Sequence, residues 1–230
     1  MEDRQRELVL TIVREYVKNA KPIGSAFLAH QFKKSSATLR HEMAELEELG
    51  YLAQPHTSAG RIPTTSAYRL FVEQLQLGRR MAGEMSRLVQ KHLQTEREKQ
   101  SRLQRIAKAL ASAMRGMAVV DINNETFCTG YTHLFSQPEF HSFDQSYPIL
   151  KFIENFPEYI RTYRHKRFGN FGVFIGEDNF YPEVSECSLV LMRVNNSRRR
   201  GVIGLLGPKR MDYEKAIHMI SELSEVLEEV

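Results

Sequence analysis

The sequence predicts an α+β protein with an N-terminal winged helix-turn-helix, a long linker helix and a C-terminal domain built mainly from an antiparallel sheet. Three observations predict it. Residues 4–49 read as three short helices followed by a β-hairpin, residues 79–115 are strongly helical, and residues 117–230 change to strand-like runs. Strands and helices in this last part do not alternate regularly, which favours α+β over a doubly wound sheet. The predicted domains are 1–77, 78–116 and 117–230.

The first helix is predicted over Arg4–Asn19, with Leu8 and Ile12 among its inward positions. Pro22 and Gly24 then mark a break before a second helix that runs to Phe32. Serines precede or begin the next two helices and can accept hydrogen bonds from their first turns. These predicted caps are Ser25 for the second helix and Ser35 or Ser36 for the third.

The third helix has the pattern of a DNA-recognition helix. Leu39, Met43 and Leu46 recur at spacings of four and three residues, so they share one buried face. The opposite face carries small and polar side chains that can approach base edges and phosphates. Its glutamates gather towards the C-terminal end, where a phosphate backbone would repel them. The N-terminal half is therefore expected to enter the major groove.

A β-hairpin is predicted directly after this helix. Gly50 is a plausible residue to end the helix, Tyr51–Gln54 forms a strand, residues 55–60 form a turn, and the chain returns at Arg61–Ile62. An amphipathic surface helix alone would be ordinary, but three helices followed by a hairpin favour DNA binding. An arginine beside the hairpin tip can reach into a minor groove. The candidate DNA-binding residues are Ser25, Lys33, Lys34, Ser35, Ser36, Ala37, Thr38, Arg40, His41, His56, Thr57, Ser58 and Arg61.

After the hairpin, Thr64 or Thr65 begins another helix, whose apolar residues should pack back on the winged domain. Residues 79–115 then repeat apolar positions as a coiled-coil seam does. The seam positions are Met81, Met85, Leu88, Leu103, Ile106, Leu110 and Met114. Dimerisation through this segment, a plain linker helix and two antiparallel helices all remain open.

Residues 117–230 predict five strands and two helices. The predicted strands are Met117–Ile122, Thr126–Thr132, Phe171–Ile175, Ser188–Val194 and Gly201–Leu206, and the predicted helices are Tyr147–Tyr163 and Tyr213–Val230. Before the last helix, Arg210 and Asp212 can form an ion pair, and Asp212 is a good N-cap.

Charge differs between the two halves of the chain. Residues 1–116 hold 20 Lys and Arg against 12 Asp and Glu, whereas residues 117–230 hold 12 against 16. A basic N-terminal half and an acidic C-terminal half are typical of a DNA-binding domain joined to a regulatory or oligomerising domain. The sequence has no apolar run long enough for a membrane span and no signal-peptide pattern, so we expect a cytoplasmic protein.

No catalytic or metal-binding pattern emerges from the sequence. The eight histidines are scattered, and Cys128 and Cys187 lack metal-ligand spacing, so reduced, buried thiols are the better interpretation. The glycines and lysine of residues 204–209 lack P-loop spacing. We therefore expect no enzyme activity, no metal and no cofactor.

Five blocks resemble the HrcA family of heat-inducible transcription repressors. They are MAELEELGYLAQPHTSAGRIPT (43–64), SQPEF (136–140), IGEDN (175–179), CSLV (187–190) and GVIGLLGPKRMDY (201–213). The resemblance implies that the C-terminal domain is GAF-like. It also implies a homodimer that binds a palindromic, inverted-repeat operator on double-stranded DNA upstream of chaperone operons. A GroEL-type chaperonin is the further partner that it implies.

The chain departs from the family pattern in three places. Family members are usually longer because a dimerising segment interrupts the GAF-like domain, and the shortening here is expected between Pro148 and Phe171. Lys33 and Lys34 stand where a glycine and an apolar residue are usual, and His41–Glu42 replaces a typical Asn-Asp. Besides a heat-shock repressor, two alternatives stay open: a diverged ligand-responsive regulator that uses a GAF-like pocket, and a scaffold or enzyme built on that domain.

Overall fold

The computed structural model describes residues 1–57, 59–75, 99–165, 168–169, 171–195 and 199–229. The chain divides into two compact units, an N-terminal unit of residues 1–76 and a C-terminal unit of residues 77–230. The predicted seam positions Met81, Met85 and Leu88 and the candidate DNA-binding residue Ser58 lie outside the described residues.

The N-terminal unit consists of helices around one core, with a small sheet at one edge. Its elements are α1 Asp3–Asn19, α2 Ser25–Phe32, α3 Ser36–Glu48, β1 Leu52–Ala53, β2 Ile62–Pro63 and α4 Thr65–Gln74. A capping box between Glu2 and Gln5 begins α1, and Thr64 caps α4 by accepting from the Ala67 backbone N–H. As predicted, α4 packs against α1. The order of three helices, a hairpin and a fourth helix is that of a winged helix-turn-helix.

The C-terminal unit is a five-stranded antiparallel sheet with helices on both faces. Its elements are α5 Lys99–Met114, β3 Met117–Ile122, β4 Glu125–Thr129, α6 Tyr131–Phe135, α7 Phe143–Glu154, α8 Phe156–His165, β5 Phe171–Ile175, β6 Cys187–Asn195, β7 Arg200–Pro208 and α9 Tyr213–Glu229. The strand order is β4-β3-β7-β6-β5, and every neighbouring pair is antiparallel. The predicted α+β class with a mainly antiparallel sheet is confirmed.

Alternation along β6 separates the two faces of this sheet. Cys187 and Leu189 lie in a buried cluster with residues of α7 and α8, whereas Ser188 between them points the other way. The Ser188 hydroxyl lies 2.7 Å from the Tyr213 hydroxyl at the start of α9, so α9 covers the second face. The central strands β6 and β7 are therefore buried on both faces, whereas the edge strands β4 and β5 are mostly half-buried.

Two predicted elements of this unit are wrong in detail. The strand predicted over Thr126–Thr132 ends at Thr129, because Gly130 takes φ +92° and begins α6. The single helix predicted over Tyr147–Tyr163 is two helices that meet at Asn155. Pro157 explains the break, since it has no N–H to donate to the Ile153 carbonyl and its ring clashes with the preceding turn.

The predicted ion pair between Arg210 and Asp212 is also wrong. Arg210 instead binds both carboxylate oxygens of Glu139 and, at 2.8 Å, the side-chain oxygen of Gln137. Gln137 in turn donates to the Arg115 carbonyl at 2.7 Å. Asp212 caps α9 as predicted, by accepting from the Lys215 backbone N–H at 3.0 Å. These contacts join three distant segments of the C-terminal unit.

Both cysteines have free thiols on strands of this sheet. Burial, with a smaller contribution from the Asp121 charge, raises the pKa of Cys128 to about 12. Burial also raises the pKa of Cys187. Because the thiolate is the reactive form, both groups are unreactive at neutral pH. Cys187 is buried as predicted, whereas Cys128 is half-buried.

Candidate nucleic-acid interface

The third helix, α3, begins with a well-formed cap. The Ser35 hydroxyl accepts from the Thr38 backbone N–H at 3.0 Å and lies 2.8 Å from the Thr38 hydroxyl. The predicted apolar face is buried, and Glu42 is buried with it. Exposed side chains surround the start of the helix and its preceding turn. They are Lys33, Lys34, Ser35, Ala37, Thr38, Arg40 and His41.

Ser25 does not cap α2, contrary to the prediction. Gly24 is the N-cap residue, and Ser25 is the first residue inside the helix. The Ser25 hydroxyl lies 2.8 Å from the Ser36 hydroxyl, and both side chains are half-buried. This contact joins the starts of α2 and α3. Both residues are therefore placed to position the start of α3.

Lys33 ends α2 in the left-handed conformation, with φ +52°. A glycine adopts this backbone without strain, whereas an L-residue with a side chain pays roughly 1–2 kcal/mol. This backbone conformation explains why the family resemblance leads us to expect glycine at position 33. In this chain the turn instead presents two exposed ammonium groups, those of Lys33 and Lys34, beside the start of α3.

The C-terminal end of α3 turns sharply into the wing. Gly50 takes φ +77°, the Tyr51 N–H donates to the Leu46 carbonyl at 2.9 Å, and the Gly50 N–H donates to the Glu47 carbonyl at 2.9 Å. This is a Schellman motif with glycine at C′, as predicted. It sends the chain directly into β1.

The wing is a three-stranded arrangement rather than an isolated hairpin. β1 pairs with β2, and Arg61 forms a further antiparallel bridge with Ile23, from the segment between α1 and α2. The two residues exchange backbone hydrogen bonds of 2.9 Å. A Cβ on Gly60 would lie 2.3 Å from the Ile23 carbonyl oxygen, so only glycine fits there. This bridge fastens one side of the wing to the helical core.

Arg61 is not at an exposed wing tip, which corrects the sequence prediction. Its side chain is only 13% exposed, and its Nε lies 2.8 Å from the Glu47 Oε2 of α3. The other oxygen, Glu47 Oε1, accepts from the Gln54 backbone N–H at 3.0 Å. Glu47 thus contacts both sides of the hairpin. A charged pair between distant positions leaves no local sequence pattern, so the sequence could not predict it.

Gln54 holds the hairpin loop itself. Its Nε2 donates to the Thr57 carbonyl at 2.9 Å and to the Ala59 carbonyl at 3.0 Å. The exposed candidates in this loop are His56 and Thr57. The wing therefore presents the His56–Thr57 segment, while Arg61 keeps the wing attached to α3.

Two more acidic residues of α3 are held by contacts within the unit, whereas Glu48 at the end of the helix is exposed. Glu42 lies 2.9 Å from the Arg4 guanidinium, and Glu45 accepts from the Gln5 side chain at 3.0 Å. The exposed N-terminal half of α3 and its turn carry Lys33, Lys34 and Arg40. Exposed cations thus lie at the end of α3 predicted to enter the groove, and Glu42, Glu45 and Glu47 are held by contacts within the unit. Glu45 Oε1 also lies 3.3 Å from His41 Nε2, one turn earlier on the helix.

The described residues contain no group of three His, Cys, Asp or Glu side chains that could hold a metal ion. In the same part of the chain, no helix is long and apolar enough to cross a membrane.

This arrangement of capped helix, basic turn and clamped wing defines a winged helix-turn-helix DNA-binding regulator. Family models agree along the chain: one for the winged helix-turn-helix transcription repressor HrcA DNA-binding domain matches residues 1–76, and one for the HrcA protein C-terminal domain matches residues 68–217. The chain belongs to the HrcA family, whose members are transcription repressors rather than enzymes.

Individual relatives support the same assignment. The heat-inducible transcription repressor HrcA of Natranaerobius thermophilus is 26% identical over 328 aligned positions, covering 97% of this chain and 95% of the relative. Since this chain has 230 residues, the relative contains sequence with no counterpart here. The HrcA repressor of Acetivibrio thermocellus is 49% identical over 77 residues, which are 33% of this chain and 22% of the relative.

One solved structure shares the fold. The crystal structure of a hypothetical protein at 2.2 Å resolution superposes with a TM-score of 0.80 at 18% identity, and the match covers 100% of this chain and 98% of that chain.

Proposed function

We propose that this repressor binds an inverted-repeat operator as a homodimer and thereby silences chaperone genes in the bacterial cytoplasm. The observation that carries the proposal is the separation of charge along α3. Lys33, Lys34 and Arg40 surround its exposed start, while Glu42 and Glu47 are paired inside the unit. The exposed Glu48 at the C-terminal end would be repelled by phosphate, so the N-terminal half of α3 is the part that approaches DNA.

Most of the candidate residues have a distinct part in this proposal, whereas Ser25 and Arg61 support the fold of the unit. Arg40 and His41 face the groove and read bases, with Ala37 and Thr38 allowing close approach. The Lys33–Lys34 turn contacts phosphates, and Ser35 and Ser36 keep the helix start in place. The loop residues His56 and Thr57 contact the flanking minor groove or its phosphates. Ser58 belongs to the same proposed loop contact by its position in the sequence.

The homodimer supplies the symmetry of the operator. Two recognition helices related by a two-fold axis require two inverted half-sites, whose spacing reports the dimer geometry. The regulated genes and the GroEL-type chaperonin partner are proposed from the resemblance to the heat-inducible repressors. The names of the aligned relatives support this regulon.

The test is a selection of bound duplexes from random and genomic DNA, performed with and without a purified GroEL-type chaperonin. We expect enrichment of a palindrome found upstream of chaperone genes, with recovery of binding-competent protein raised by the chaperonin. A different palindrome would contradict the heat-shock regulon but retain operator binding. No enrichment over scrambled competitor at moderate salt would contradict sequence-specific binding itself.

A further inference from the structure

Three large apolar side chains lie exposed on one face of α7. Phe143, Tyr147 and Leu150 are 70%, 47% and 42% exposed, and their spacing of four and three residues places them on one side of the helix. The other side packs into the core of the C-terminal unit through Ile149 and Phe152. Single exposed apolar residues are ordinary, whereas a contiguous row marks an interaction surface. We call this row the α7 face.

The α7 face is already ordered before any partner binds. The Phe143 and Tyr147 rings stack with centroids 5.2 Å apart, and the Lys151 ammonium lies 5.6 Å from the centre of the Tyr147 ring. Ser142 caps the helix by accepting from the Gln145 backbone N–H at 3.4 Å. A surface that is ordered beforehand loses less conformational entropy on association.

The charges beside the α7 face match those of the same helix running in the opposite direction. Asp144 and Lys151 are both exposed and flank the row on the same side, roughly 10 Å apart along the helix axis. A two-fold axis midway between them would place Asp144 of one copy opposite Lys151 of the other, twice. The face is therefore complementary to itself, as a two-fold interface requires.

We propose that the α7 face is the surface through which two copies of this chain associate. The proposal rests on the proposed homodimeric repressor and names its contact. The apolar row supplies the buried centre of the interface, and the Asp144–Lys151 pairs set the antiparallel direction.

The first experiment measures self-association of the full chain by analytical ultracentrifugation over a range of concentrations. Leu150→Glu puts a charge into the apolar centre, and we expect it to raise the dimer dissociation constant at least tenfold. Tyr131→Glu is the matched control, because Tyr131 is 41% exposed but lies on α6. We expect the control to change the constant less than twofold. Circular dichroism confirms that each variant retains its helices.

The second experiment exchanges the charges and keeps the apolar row intact. Asp144→Lys and Lys151→Asp each place like charges opposite one another across the axis, so each should weaken the dimer several-fold. The double variant restores opposite charges and should return to within about threefold of the original affinity. Glu158→Lys makes the same change of charge on α8 and should leave the dimer unchanged.

Three outcomes would overturn the inference: a wild-type chain that stays monomeric at every concentration, a Leu150→Glu variant that dimerises normally, or a double variant no stronger than the singles. Binding of one operator half-site is measured in parallel, since a single winged domain suffices for it. Loss of the dimer with half-site binding retained supports the α7 face. If the α7 variants weaken the dimer but the protein binds no duplex in preference to another, the repressor function is contradicted and the α7 face is still supported as the dimer contact.

Discussion

The two compact units use their basic side chains differently. In the N-terminal unit, Lys33, Lys34 and Arg40 are exposed around the start of α3. In the C-terminal unit, Arg210 is turned inward onto Gln137 and Glu139. The exposed group can bind a partner at little cost to the fold, whereas the inward arginine joins segments that are far apart in sequence. Arg40 is thus exposed for the proposed DNA contact, whereas Arg210, like Arg61 of the N-terminal unit, is turned inward and stabilises the fold.

The largest expected effect tests the inward arginine. Arg210→Ala leaves the Glu139 carboxylate and the Gln137 amide without their shared donor, so we expect unfolding free energy to fall by about 3 kcal/mol. Denaturant unfolding of the full chain measures it. Lys209→Ala is the control, because its partner Glu186 is exposed, and it should cost less than about 1 kcal/mol. Equal losses of stability in the two variants would show that the Arg210 contacts contribute no more than the exposed Lys209–Glu186 pair.

The complementary change is Arg40→Ala in the N-terminal unit. We expect specific operator affinity to fall by roughly 1–3 kcal/mol, because a base-reading side chain is lost, while stability stays within about 0.5 kcal/mol. Fluorescence anisotropy on the selected duplex and on a scrambled one measures both affinities. If operator affinity is unchanged, Arg40 makes no base contact.

Glu47→Gln tests a residue of the N-terminal unit that, like Arg210 of the C-terminal unit, joins distant segments through an ion pair. The amide can still accept from the Gln54 N–H but no longer balances the charge of Arg61. We expect a loss of about 1 kcal/mol in stability, together with weaker protection of DNA at the wing in hydroxyl-radical footprints. The neighbouring exposed Glu48→Gln is the matched control. Identical behaviour of the two variants would show that the Glu47–Arg61 contact does not position the wing.

A smaller effect is expected for Lys34→Ala. Removing one phosphate contact should weaken binding about equally on all sequences and lower the slope of log affinity against log salt by about 0.9. Titrations at several salt concentrations measure this slope. Lys18→Ala is the control, because Lys18 is exposed on α1 and its ammonium lies 3.2 Å from the half-buried Glu15 carboxylate; this change should leave the slope unaltered. An unaltered slope for Lys34→Ala would place that ammonium away from the phosphates.

The last expected effect is on stability at alkaline pH, and none is expected near neutrality. The pKa of Cys128 is raised from 9.0 to about 12 in the folded chain, so the unfolded chain releases this proton first. Stability therefore falls as pH rises from about 9 towards 12. Cys128→Ala should make this fall shallower, as measured by unfolding from neutral pH to about pH 10. A fall of the same steepness would contradict burial of the thiol.

Local signals in the sequence predicted most of the fold. The Ser35 cap, the Gly50 turn and the strand Phe171–Ile175 were all predictable, because each depends on neighbouring residues or on simple alternation. The partners of Arg61 and Arg210 were not, since those depend on which segments meet in three dimensions. For the candidate interface, the sequence therefore indicated which residues lie near α3 but not which of them are already paired.

The close approach of Gly60 to the Ile23 carbonyl limits how this regulator can evolve. Any larger residue at position 60 would push the wing away from the Ile23 segment, so only glycine is compatible with the wing's attachment to the helical core. His56 and Thr57 in the loop and Ala37 and Arg40 at the start of α3 are exposed, so replacements there leave this close approach intact.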